Sequence, residues 1–235
     1  MSGQDATSAK QNAEFFAESK HARDVAELDT YRLIREAVTS ELSGTRRLLD
    51  VGNGGVFDYD TTQIEEIIAV DLFLDRMPPS QFPTNVTPRN GDGLALDEPS
   101  GTYDVVLEAL LYHHLVGTRA RDSIANVRIT ISEAARVLRP GGRLVVAESC
   151  VPRWFYGVEK ALFRPLVALA STPLLGGHPA VLQLPLGLLQ ELVSKRLQIE
   201  RAYRVPRGRW TTQFGRRWPT MLTPAYAVLI VARKH

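Results

Sequence analysis

Two adjacent histidines, His113 and His114, follow an apolar stretch that carries Glu108. Imidazole titrates near neutral pH, so either ring can take the proton from a hydroxyl while that oxygen attacks an electrophile. Further along, Glu148 closes the apolar run GRLVVAE. The two glutamates can orient a histidine, bind substrate hydroxyls, or hold a divalent cation together with a histidine. Oxygen and imidazole ligands suit Mg²⁺ only where several waters stay on the ion. The plainer alternatives are a satisfied structural histidine and solvated strand-end acids.

A second cluster lies upstream. LLDVGNGGVFDYD, residues 48–60, runs from an apolar strand into an acid and then into Gly52, Gly54 and Gly55. Glycines let a backbone take up φ > 0 and approach a ligand closely, and a strand ending in such a turn is the usual edge of a nucleotide pocket. The dinucleotide fingerprint needs a third glycine where Phe57 stands, and no Gly-Lys-Ser/Thr ending makes a phosphate loop. Lys and Arg are absent from GNGGVFDYDTT, which favours a ligand without phosphate charge to neutralise.

These residues need a frame. RRLLDV, EIIAVDL, YDVVLEA and GRLVVAE are short apolar runs bounded by turn or acidic residues, and they read as strands. Between the last two, Ile124, Val127, Ile131, Ala134, Ala135 and Leu138 recur at helical spacing, with Asp122 as a plausible N-cap and Pro140-Gly141-Gly142 as the stop. Strands alternating with helices predict an α/β fold, a mostly parallel sheet with helices on both faces. The segment up to Leu42 reads as two helices. Residues 151–182 are aromatic, apolar and broken by Pro and Gly, and read as an insertion above the sheet. IERAYRV and AYAVLIVARK read as the closing strands, joined by the basic, aromatic hairpin PRGRWTTQFGRRWP.

The order of these motifs resembles the class I S-adenosylmethionine-dependent methyltransferases. Asp50, Gly52 and Gly54 match the family's Asp/Glu-x-Gly-x-Gly-x-Gly loop, with Val56 at the last glycine. IIAVDL supplies an acid after the second strand, NGDGLAL a later Asp, and YDVVL the fourth strand. LLYHHL and ARVLRPGGRLVV complete the series. The resemblance covers roughly residues 46–148 and implies a Rossmann-like seven-stranded sheet with an antiparallel last strand. It implies S-adenosyl-L-methionine as cofactor, held by Asp50, Gly52, Asn53, Gly54, Asp71, Leu72, Asp92, Gly93 and Leu94. Asp71 takes the ribose hydroxyls and Asp92 the adenine in that reading; the plainer alternatives are a helix cap or strand-end acid for Asp71 and a turn aspartate for Asp92. The short run from Asp50 to Asp71 implies an abbreviated first helix.

The resemblance implies one methyltransferase domain over 1–235: N-terminal helices or a lid over 1–44, a cofactor-binding core over 45–150, an acceptor-side insertion over 151–182, and a C-terminal helix and strands over 183–235. His113, His114 and Glu108 are the candidate catalytic residues, and which histidine acts as base stays open. Glu148, Trp154, Tyr156 and His178 are the candidate acceptor contacts. The expected reaction is O-methylation of a hydroxylated small molecule, a sugar, glycoside or natural product. A lipid-like or quinone acceptor, and a non-catalytic methyltransferase-like binding module, are the alternatives.

Composition bounds the partners. The 28 basic and 26 acidic side chains leave a net charge of +2, too balanced to suggest a nucleic-acid protein by itself. Cys150 is the single cysteine, so no internal disulfide forms and a reducing, cytoplasmic setting is expected. The most apolar run, LVALASTPLL, is well short of the roughly 20 residues of a membrane span. Trp210, Phe214 and Trp218 among arginines read as a solvated hairpin, a homodimer contact, or a surface whose rings stack on sugars while its arginines reach hydroxyls or phosphates.

Overall fold

The computed structural model describes residues 28–170, 180–213 and 216–235. Helix α1 (Asp29–Leu42) leads into strands β1 (Arg47–Val51), β2 (Glu66–Asp71), β3 (Val86–Asn90) and β4 (Tyr103–Ala109). Helix α2 (Ala120–Val137) joins β4 to the long strand β5 (Leu138–Cys150). Helices α3 (Arg153–Ala161), α4 (Phe163–Ala170) and α5 (Leu186–Ser194) follow. Strands β6 (Gln198–Arg204), β7 (Trp210–Gln213), β8 (Arg216–Pro219) and β9 (Tyr226–Arg233) close the chain.

Seven strands make one sheet in the order β3-β2-β1-β4-β5-β9-β6. The first five are mutually parallel, and β9 is antiparallel to both β5 and β6. The continuous apolar runs of the sequence follow from this arrangement. Leu49, Val51, Ile68, Val106, Leu144 and Val146 pack on one face under α2 and α5, whereas Leu48, Ile67, Val105, Leu107, Val145 and Val231 pack on the other under α1. A strand covered on both faces loses the alternation of a half-exposed one. Helices thus lie on both faces, as expected.

The crossovers differ from the expectation in one respect. Residues 52–65 hold no α-helix, abbreviated or otherwise, but a single 3₁₀ turn (Thr61–Gln63) whose Thr62 N–H is capped by the Asp60 carboxylate. The stretch has no apolar stripe to bury, and Thr61 and Thr62 lower helix propensity further. The link from β2 to β3 likewise contains only the 3₁₀ turns Leu74–Arg76 and Pro79–Gln81. At the other end of α2 the helix stops at Val137, and Pro140-Gly141-Gly142 lie within β5.

The expected insertion contributes α3 and α4, and the chain returns to the sheet through residues 180–185. There Leu182 N–H donates to the His113 carbonyl (3.0 Å) and Val151 N–H to the Leu184 carbonyl (3.2 Å). The β7–β8 hairpin docks on α1, where the Asp29 carboxylate accepts from the N–H groups of Arg209 (2.5 Å) and Trp210 (3.0 Å). The first of the two helices expected up to Leu42, His178 and Phe214 lie outside the described residues.

Candidate active site

The glycine loop leaves β1 at its carboxyl end. Gly52, Gly54 and Gly55 take φ of +75°, +59° and +76°. The turn is packed closely as well: a Cβ on Gly52 would stand 2.5 Å from Leu111 Cδ1, and one on Gly55 2.0 Å from Met77 Sδ. The loop is then fastened by acids. Asp71 accepts from Gly54 N–H at 2.9 Å, and burial raises its carboxyl above the usual range against N–H donation from Gly54, Leu72 and Phe73. Asp50, 1% exposed, accepts from Asn53 Nδ2 (2.7 Å) and from the Tyr59 hydroxyl (2.8 Å). Burial pushes its carboxyl up to about 7, although both donors oppose the shift. The Asn53 Oδ1 accepts from Gly55 N–H at 2.8 Å, so both ends of that amide are engaged inside the loop.

Asp92 closes a turn of its own, accepting from Leu94 N–H at 2.9 Å, with Leu94 buried and Gly93 close against Val51. These contacts put acids at the ends of β1 and β2 and after β3, around the glycine loop. That set of acceptors suits the hydroxyls, the amino groups and the cationic sulfonium of S-adenosylmethionine.

Next to the loop, β4 ends at Ala109 and the chain turns sharply. Leu110 has φ of +54°, a conformation uncommon for a residue with a side chain. A 3₁₀ turn, Tyr112–His114, follows. It is held by Glu148 of β5, 2% exposed. One carboxylate oxygen accepts from Tyr112 N–H (2.8 Å) and His113 N–H (3.3 Å). The other meets Ser149 N–H (2.5 Å) and His113 Nδ1 (2.6 Å). Three backbone donors already make Glu148 an acceptor on both oxygens, so Nδ1 carries a proton toward it, and in the neutral ring Nε2 is the nitrogen with the lone pair. The His114 ring lies 4.1 Å from that of His113, centroid to centroid.

Two further carboxyls are buried nearby. Glu108 accepts from the Tyr112 hydroxyl on one oxygen and has no hydrogen-bond partner on the other. Burial pushes it up to about 7. Glu159 of α3, 5% exposed, is pushed up to about 7 by burial, which Gln183 N–H and the neighbouring His113 oppose. Gln183 also donates through Nε2 to Ser149 Oγ at 2.6 Å. On the α1 side of the same sheet edge, a cavity of about 30 Å³ is lined by Thr30, Tyr31, Leu110, Ser149, Thr212 and Tyr226 among others, room for a water or two. The Tyr31 and Thr212 hydroxyls share a hydrogen bond of 2.5 Å, while buried Thr30 Oγ1 has no partner.

Residues 49–146 match the methyltransferase domain family. The chain carries a class I S-adenosylmethionine-dependent methyltransferase domain. Solved structures share its fold over most of their length. One is a candidate methyltransferase from Haloferax volcanii in complex with the Trm112 methyltransferase activator (14% identity, 94% of this chain and 96% of that one, TM-score 0.63). Another is the N-methyltransferase NodS from Bradyrhizobium japonicum with S-adenosyl-L-homocysteine (13%, 93% and 87%, 0.50). A third is geranyl diphosphate C-methyltransferase from Streptomyces coelicolor, with Mg²⁺, geranyl diphosphate and S-adenosyl-L-homocysteine (12%, 85% and 79%, 0.54). Among curated proteins none matches the sequence.

In this methyltransferase the sequence-derived residues fall into two groups. Gly52, Asn53, Gly54, Asp71, Leu72, Asp92, Gly93 and Leu94 ring the carboxyl ends of β1 to β3, and Asp50 lies beneath them as an anchor of the loop. His113, His114, Glu108 and Glu148 gather at the ends of β4 and β5. Tyr156 is half-buried on α3, and Trp154 is 68% exposed. Glu159, Gln183, Ser149 and the Tyr31–Thr212 pair were not anticipated. Glu159 had a signal, an acid between Tyr156 and Phe163 on the apolar side of a helix; the others depend on chain segments far apart in sequence. Among the described residues no three His, Cys, Asp or Glu side chains gather as a metal site.

Proposed function

We propose that this methyltransferase transfers the methyl group to a hydroxyl of a small molecule, with His113 as general base. The observation that carries the reading is the 2.6 Å contact between His113 Nδ1 and Glu148. It fixes the tautomer, leaving Nε2 to accept the hydroxyl proton as the oxygen gains nucleophilic character. Glu148 then stabilises the imidazolium and holds the ring in place.

Asp71 and Asp92 hold the cofactor's ribose and adenine, and the glycine loop leaves room for its methionine part. The cofactor supplies a methyl group made electrophilic by its sulfonium. Transfer is an in-line displacement, so orientation of the acceptor supplies much of the acceleration. The hydroxyls of Tyr31, Thr212, Thr30 and Ser149 line the small cavity on the α1 side of the same sheet edge, and neutral donors and acceptors of this kind favour a sugar, glycoside or hydroxylated natural product. The described carboxylates and histidines make no ligand set for Mg²⁺, and no step is assigned to a metal. A lipid-like or quinone acceptor is the second reading, favoured by the exposed apolar residues of α3.

The test is S-adenosylhomocysteine release from S-adenosylmethionine with a panel of sugars, glycosides, phenols and quinols. His113→Ala is expected to lower kcat by roughly 10²–10⁴-fold on any active acceptor, with His114→Ala losing less than about tenfold. The thermal shift induced by S-adenosylhomocysteine should persist in both. Full turnover in His113→Ala would remove the base assignment; a preference for amines over hydroxyls would remove O-methylation.

A further inference from the structure

The near-balanced total charge hides a division along the chain. Residues 149–235 carry 13 Lys and Arg against three Asp and Glu, a net charge of +10, whereas residues 1–148 carry 15 against 23, a net of −8. From Arg201 to His235 no acid occurs, and between Cys150 and Gln190 the single acid is Glu159, which is buried. Lys195, Arg201 and Arg233 of this half pair with Glu191, Glu41 and Glu200, whereas Arg153, Lys160, Arg164 and Arg217 make no salt bridge among the described residues.

Large apolar side chains stand among them. Trp154, Val158 and Leu162 recur every four residues along α3 and its end, so they form one stripe, and they are 68%, 47% and 48% exposed. Arg153, Lys160 and Arg164 flank the stripe and are exposed as well. A second patch spans β8 and the turn after it: Trp218, Met221 and Leu222 are 41%, 83% and 66% exposed, with Arg217 next to Trp218 in the chain. The two patches rise from one end of the sheet. Helix α3 leaves β5 at Cys150, Met221 and Leu222 lead into β9 at Tyr226, and Cys150 pairs with Tyr226. That is also the edge at which β4 delivers His113.

Exposed Trp, Leu and Met with Lys and Arg beside them suit a surface that lies in the headgroup region of an anionic bilayer. Nucleic acid would satisfy the cations but has no use for Val158, Leu162, Met221 and Leu222, which offer no ring for a base to stack on. A second copy of the chain would bring two cationic faces together, which charge repulsion opposes. No described helix is long and apolar enough to cross a membrane, so the contact is peripheral. We propose that this edge docks the methyltransferase on an anionic lipid surface, its site facing the bilayer.

Sedimentation with vesicles tests this, whatever acceptor the enzyme uses. The full chain should partition onto vesicles of phosphatidylcholine mixed equally with phosphatidylglycerol, and not onto phosphatidylcholine alone. Combining R153Q, K160Q and R164Q should weaken the partition roughly tenfold or more, and so should W154S with L162S. Unchanged thermal unfolding midpoints in both variants would show that the fold is intact. No partition onto the mixed vesicles, or partition indifferent to both variants, overturns the proposal. So does retention on RNA in place of vesicles, or a dimer by light scattering that W154S with L162S dissolves.

Discussion

The choice between two adjacent histidines is made by a residue 35 positions away in the chain. Glu148 presents both oxygens to N–H donors from the Tyr112–His114 turn and from Ser149, so it accepts from His113 Nδ1 and cannot donate to it. Glu148→Gln introduces an amide that can donate to Nδ1 and so favour the wrong tautomer. We expect kcat to fall roughly 10²-fold or more with KM changed little, since the acceptor contacts stay. Glu148→Asp should retain acceptor chemistry and lose less. Equal kcat in wild type and Glu148→Gln would sink the tautomer argument. The sequence made the pair of histidines and the two glutamates legible, because charged groups at strand ends stand out from apolar runs. Which imidazole meets which carboxylate depends on strand register and on the φ > 0 turn at Leu110, and neither is written in local spacing.

At the scale of elements, the strands were legible and the first crossover was not. A strand covered on both faces advertises itself as an apolar run, but a loop without a helix is recognised only by what fastens it. Here the Tyr59 hydroxyl reaches back to Asp50 at 2.8 Å and Asp71 holds Gly54 at 2.9 Å, substituting for the support a crossover helix would give. Tyr59→Phe should cost about 1–2 kcal/mol, the worth of a buried hydrogen bond to a carboxyl group. That corresponds to a midpoint lower by roughly 2–8 °C at this chain length. It should also shrink the stabilisation by S-adenosylhomocysteine, because the loop must be rebuilt on binding. Asp71→Ala should abolish that stabilisation while costing less in the unliganded protein. If calorimetry shows ligand affinity unaltered in both variants, the loop is held by something other than these acids.

For the molecule as a whole, the burial that builds the site also sets how stability responds to pH. Asp50, Glu108 and Glu159 are each pushed up to about 7 by burial, against values near 4 in the unfolded chain. The folded state therefore binds their protons more tightly. The stability they contribute is fully present below the unfolded values and is lost as pH rises through about 7. Each proton adds at most about 1.4 kcal/mol per pH unit to that decline. Other carboxyls have the opposite sign. Asp29 is lowered by the N–H groups of Arg209 and Trp210, and Glu133 by its hydrogen bond with Arg136; their contribution is lost in acid, as pH falls through their depressed values. The unliganded protein should accordingly be most stable near pH 5, weaken as pH rises to about 7 and level off beyond, a profile that urea midpoints at constant ionic strength can follow. Glu108→Gln should flatten the decline by one proton's share, since an amide has no proton to release over that range. A midpoint that holds level or climbs from pH 5.5 to 8 would mean that water reaches these carboxyls in solution. The dry, tightly packed end of β4 and β5 on which the His113 chemistry rests would then be lost with it.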